Sequence, residues 1–185
     1  MGDVFANYVA ACHSALDLAT EDQVIDAVQQ ALIPLLASDN WLPASHATPK
    51  PDGYGQFPLY IDPADRLSIV SFVWGPLQNT PVHDHCVWGV VGVLRGEETS
   101  KDYQQKDGGL VETQRSVSLP GDILAVSPSI GDIHWVGNES ADDYAISIHT
   151  YGGNIGKVQR HVFDPDTGVA RGFVSGYEPV APILT

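Results

Sequence analysis

The chain has 185 residues, 43% of them hydrophobic, enough to bury one sizeable core. A net charge of −14 with only nine Lys and Arg leaves no basic footprint for nucleic acid, and any small anion must be held by one or two particular cations. Two cysteines without framework spacing point to a reducing compartment. Residues 1–5 lack a signal-peptide start and no run of about eighteen apolar residues exists, so a cytoplasmic protein away from membranes is expected.

The first forty residues read as two helices covering the main body. Val4, Tyr8, Val9, Cys12 and Leu16 recur at helical spacing, as do Val24, Ile25, Val28, Leu32 and Leu35. Thr20 followed by Gln23 is a capping-box start for the second helix. His13, in the first, is assigned to surface or packing. Residues 41–55 are rich in Pro, Ser, Asp and Gly and read as a loop.

Short β-like runs follow at 67–74, 87–94, 116–119, 123–126, 133–136 and 144–151, separated by turn signals at 94–97, 106–109 and 120–122. Many short strands predict an all-β sandwich or barrel, a set that includes the jelly rolls. The expected organisation is a single domain over 1–185: a helical cover over 1–40, a metal-binding barrel over 54–164 and a C-terminal wrap over 165–185. With no apolar element left over, a monomer is expected.

The strongest chemical signal is Pro81-Val82-His83-Asp84-His85. On a strand, residues two apart share a face, so His83 and His85 project together while Asp84 points away. Two imidazoles facing a barrel interior suit iron, zinc, copper or nickel; on an exposed strand they would be surface residues. Downstream come Pro120-Gly121-Asp122, His134 and Asn138. An H-x-H, a hairpin, a P-G-D turn and a lone His followed by Asn resemble the two cupin motifs, which would place His83, His85 and His134 on one metal. The Glu usual in cupins after the second His is absent: Gly89 and Val90 stand there, and Glu97 and Glu98 come past the turn. Three neutral histidines leave a metal its full charge, which favours an anionic added ligand such as a thiolate.

Ser147, His149 and Tyr151 alternate along the last strong strand signal and form either a polar ladder or one hydrogen-bonded row. Arg160 follows a glycine-rich turn and is a candidate carboxylate clamp.

Taken together, Trp74-Gly75-Pro76, the T-P-V-H-D-H-x-V-W-G run at 80–89 and the S-I-H-x-Y-G-x-N-I-G run at 147–156 resemble the bacterial thiol dioxygenases. The resemblance covers roughly residues 54–160 and is to the 3-mercaptopropionate branch of the cysteine dioxygenase family. It implies a cupin barrel (a double-stranded β-helix), Fe(II), dioxygen and a sulfinate product from a small thiol-carboxylate. It also implies iron ligands His83, His85 and His134, an outer-sphere catalytic triad of Ser147, His149 and Tyr151, and Arg160 on the substrate carboxylate. Gln56 stands where the mammalian-type enzymes carry a carboxylate-binding Arg, and would shape the far end of the pocket. Gly89 stands near their cross-linked Cys, so no thioether to Tyr151 is expected. Cys86 replaces an expected Thr and is assigned to a small buried core position. Cysteine or mercaptosuccinate as substrate, a non-catalytic cupin binding a small acid, and a zinc or nickel site are the alternatives.

Overall fold

Thr20 opens its helix as the capping pattern predicts. Its backbone is extended (φ −133°, ψ 153°) and its side chain accepts a hydrogen bond from the Gln23 backbone N–H. The computed structural model describes residues 4–106 and 108–185; residues 1–3 and Asp107 of the expected 106–109 turn lie outside them. The helices are α1 (Val4–Ala15) and α2 (Glu21–Leu36). Neither is long and apolar enough to cross a membrane.

Ten strands follow: β1 (Gly55–Ile61), β2 (Ser68–Trp74), β3 (Gly89–Arg95), β4 (Glu98–Lys106), β5 (Gly109–Ser118), β6 (Ile123–Val126), β7 (His134–Gly137), β8 (Ala145–Tyr151), β9 (Arg160–Phe163) and β10 (Ala170–Phe173). One antiparallel sheet runs β1-β2-β8-β3-β6, and two smaller groups run β5-β4-β7 and β10-β9. His83 forms isolated bridges with both His134 of β7 and Val162 of β9, which joins the small groups into a second sheet. The chain thus has the expected all-β fold, a double-stranded β-helix of cupin type with two helices laid on it.

β8 shows why the site lies where it does. All seven of its residues are buried, because each face of the strand meets a different partner. Ile146 and Ile148 join the core under the helices, and Thr150 meets Tyr8 of α1 (Oγ1 to hydroxyl, 2.6 Å). Ser147, His149 and Tyr151 face the other way, into the barrel. His13 bonds the Tyr60 hydroxyl at 2.8 Å, the packing role expected of it.

Several expectations need correction. Residues 81–88 are not a strand; His83 and His85 lie on an irregular segment held by isolated bridges. Cys86 has a left-handed backbone (φ 59°), which turns its thiol outward beside Asp84 (3.5 Å). It is exposed rather than a buried core residue. β1, β4, most of β5, β9 and β10 were not foreseen. Pro58 obscures β1, which carries a bulge between Pro58 and Tyr60. The β4–β5 hairpin is largely polar and much of it faces solvent, so it lacks an apolar alternation. Beyond β10 the chain closes over β1: the Glu178 N–H donates to the Gln56 carbonyl (2.9 Å) and Leu184 bridges Tyr60.

Candidate metal centre and pocket

His83, His85 and His134 converge although they come from an irregular segment and a strand. Their ligand atoms lie within 4.8 Å of one another, and all three side chains are buried. The Nδ1–H of His85 donates to the Asp132 carboxylate at 2.8 Å, and that of His83 to the Pro81 carbonyl at 3.1 Å. With Nδ1 so engaged, Nε2 is the nitrogen that each ring has left to offer a metal. Asp132 also accepts the backbone N–H groups of His85 (3.0 Å) and Cys86 (2.9 Å), which shapes the left-handed turn. His134 Nδ1 is buried without a hydrogen-bond partner. Burial, and then repulsion from the neighbouring histidines, holds His83 and His134 well below the usual imidazole range, so both are neutral. The donor set therefore fits a divalent ion with imidazole preference, iron and zinc included.

The expected row on β8 is present. Ser147 Oγ lies 2.8 Å from His149 Nε2, and His149 Nδ1 lies 2.9 Å from the Tyr151 hydroxyl. Burial keeps His149 well below the usual range and pushes the Tyr151 hydroxyl up, so both are neutral. Gly89 crosses beside Tyr151: a Cβ there would stand 2.9 Å from the ring. Both cysteines are free thiols.

Arg160 begins β9 and is 97% buried, its relative exposure being 3%. One terminal NH₂ donates to Ser175 Oγ (2.7 Å), the guanidinium lies over the Phe173 ring (4.7 Å), and its Nε–H has no partner. Gln56 donates to the same Ser175 Oγ (3.1 Å) and to the Gly176 carbonyl (2.9 Å). Gln56, Arg160, Tyr151, His149 and the three histidines line one cavity of about 230 Å³. Its remaining walls are largely apolar, from Tyr54, Phe72, Trp74, Val136, Val162 and Phe173.

Sequence reasoning missed four contributors. Asp132 stands two residues before His134, a spacing that could have revealed it. Phe173 and Ser175 belong to the C-terminal segment, and only β10–β9 pairing brings them in. Glu98 is buried behind the row, 2.6 Å from Ser147 Oγ, and burial pushes its carboxyl up to about 7. Asp84 does point away from the metal cluster, but it has work there: its carboxylate accepts the backbone N–H (2.7 Å) and Nδ1–H (2.8 Å) of His161. Asn138 is structural, donating to the Asp143 (2.7 Å) and Gly75 (3.2 Å) carbonyls.

No family model matches the chain. Among solved structures it is similar to a protein from Thermus thermophilus, at 20% identity and TM-score 0.47 over 59% of this chain and 91% of that one. It is similar to a double-stranded β-helix protein from Klebsiella pneumoniae, at 19% identity and TM-score 0.45 over 60% of this chain and 80% of that one. A likeness to an oxalate oxidase in complex with the substrate analogue glycolate has 18% identity and TM-score 0.47, over 60% of this chain and 57% of that one.

Proposed function

We propose that this protein is an Fe(II)- and O₂-dependent thiol dioxygenase that converts 3-mercaptopropionate to its sulfinate, in a reducing cytoplasmic setting that keeps the substrate thiol reduced. The observation that carries the reading is one small cavity with three buried, converging imidazoles and a buried Arg160 holding a spare donor. The overall step balances as R–S⁻ + O₂ → R–SO₂⁻. Iron, when bound, supplies the redox chemistry that joins dioxygen to sulfur. Arg160 holds the substrate carboxylate through its free N–H, which fixes the thiolate toward the histidines. The apolar walls exclude water, and the Tyr151 hydroxyl is the polar group beside the reacting atoms.

The lining also sorts the substrates. Among the described residues, Arg160 is the one Lys or Arg on the cavity wall. Arg66 pairs with Asp62 and Arg95 with Asp39, while Arg171 is exposed. The second carboxylate of mercaptosuccinate therefore has no second Lys or Arg to pair with among the described residues. Among the described residues no Asp or Glu lines the cavity, so the ammonium of cysteine has no anionic partner either.

Oxygen uptake by Fe(II)-loaded protein with 3-mercaptopropionate, mercaptosuccinate and cysteine, with products weighed by mass spectrometry, tests the reading. A sulfinate formed fastest from 3-mercaptopropionate is expected. Arg160→Ala should raise KM by about tenfold or more while bound iron is unchanged. No uptake with any thiol at full iron occupancy refutes the reading and leaves a zinc site or a binding protein.

A further inference from the structure

Glu98 is a buried carboxylate that the proposed chemistry leaves unused. It enters from β4, at the start of a hairpin whose far end is in solvent. Its Oε2 lies 2.6 Å from Ser147 Oγ, and the Trp74 indole N–H donates to the same Ser147 oxygen at 3.2 Å. Glu98, Ser147, His149 and Tyr151 thus form one continuous chain of hydrogen bonds ending at the cavity, which Trp74 joins only as a donor. All four are buried.

Counting hydrogens fixes the direction of that chain. Ser147 owns one hydroxyl hydrogen and has to serve two neighbours. When Glu98 is ionised it can only accept, so Ser147 gives it that hydrogen. His149 Nε2–H must then donate to Ser147, and a neutral His149 is left with a bare Nδ1. Tyr151 donates to that Nδ1 and turns its lone pairs to the cavity. When Glu98 carries a proton the order reverses. Glu98 donates to Ser147, Ser147 donates to His149 Nε2, and His149 Nδ1–H donates to Tyr151. The Tyr151 hydrogen is then free to point into the cavity. The states differ by one proton, on Glu98, and by the tautomer of His149.

We propose that Glu98 is a positioning residue which sets, through Ser147 and His149, whether Tyr151 offers the cavity a hydrogen-bond donor or only an acceptor. Its surroundings leave that choice to Glu98. Trp74 on β2, Ser118 opposite on β5 and Ser147 on β8 are neutral. Glu97 and Glu139 are exposed and Lys101 is half-buried, paired with Glu139 at 3.8 Å. The titratable groups further along are His149 and Tyr151, with Tyr54 and Arg160 on the cavity wall beyond. Burial pushes Glu98 up to about 7 and keeps His149 neutral, so the reversal falls in the neutral range. The proposal rests on the thiol dioxygenase reading only for the use made of the Tyr151 hydrogen.

The full-length, metal-free protein tests the chain without any reaction. Histidine ¹⁵N shifts report which ring nitrogen of His149 carries hydrogen, the signal being identified by its loss in His149→Asn. From about pH 5.5 to about pH 8.5, spanning the neutral range, wild type should pass from Nδ1–H to Nε2–H, and Glu98→Gln should hold one tautomer throughout. A wild-type tautomer that does not change overturns the proposal whether or not the variant folds, and so does the same change in Glu98→Gln. With iron and 3-mercaptopropionate, wild-type kcat should fall on the order of tenfold over that range, with little change in KM, and the fall should be absent in Glu98→Gln. A tautomer switch in a protein that oxidises no thiol would refute the function and leave the switch standing.

Discussion

Asp132 illustrates how much of the candidate centre is set by one side chain outside the histidine trio. It holds the His85 ring through Nδ1–H and gathers the His85 and Cys86 backbone N–H groups, so it fixes tautomer, ring orientation and turn together. Asp132→Ala should lower metal affinity by about 10–100-fold, read by competition with a chelator, with the fold intact by circular dichroism. An unchanged affinity would show that the turn holds His85 by itself. The candidate ligands and the β8 row were legible because their spacings are local: H-x-H, a lone His after a P-G-D turn, and alternation along a single strand. Cys86 was misread because a strand was assumed through it, and nothing in the residue itself signals a left-handed φ.

At the scale of elements, β3 is shaped by what crosses it. Gly89 makes room on its inner face for Tyr151, and Gly92 on its outer face for α2. A Cβ at Gly92 would stand 2.7 Å from methyl carbons of both Leu32 and Leu36. Gly92→Val should overpack this seam and cost about 1–3 kcal/mol in chemical denaturation. A loss of metal with no loss of stability would contradict that account. The helices and the apolar strands were readable because each presents an apolar face to the core. The β4–β5 hairpin and the C-terminal strands were not, because their places come from long-range pairing. Glu98 entered the site unannounced for that reason: its neighbour Ser147 is 49 residues away in the chain.

For the molecule as a whole, Glu98 also contributes to the pH dependence of stability, and its sign is unusual for a carboxylate. Its folded value, about 7, lies above the ordinary 4.5 because burial disfavours the charge. Below pH 4.5 it is protonated in both states and costs nothing. As pH rises to about 7 the unfolded chain ionises first, so stability falls, by roughly 3 kcal/mol, and then levels. His83, His134 and His149, held neutral by burial, work in the opposite direction, losing stability as pH falls below the ordinary imidazole range. The difference between wild type and Glu98→Gln isolates the first effect. In metal-free protein the variant should gain on wild type steadily from pH 4.5 to about 7, by urea midpoint. A difference independent of pH would mean that Glu98 ionises normally when folded.

Asp84 sits between two metal-facing histidines and grips His161, the neighbour of Arg160. On the proposed reading, the end of the cavity that would take the thiolate and the end that would take the carboxylate are thereby joined in one hydrogen-bonded frame. On the proposed reading that frame is a ruler cut in backbone: the gap between sulfur and carboxylate is measured before a substrate arrives. A thiol acid one methylene longer or shorter must bend itself, because the protein has little slack with which to meet it.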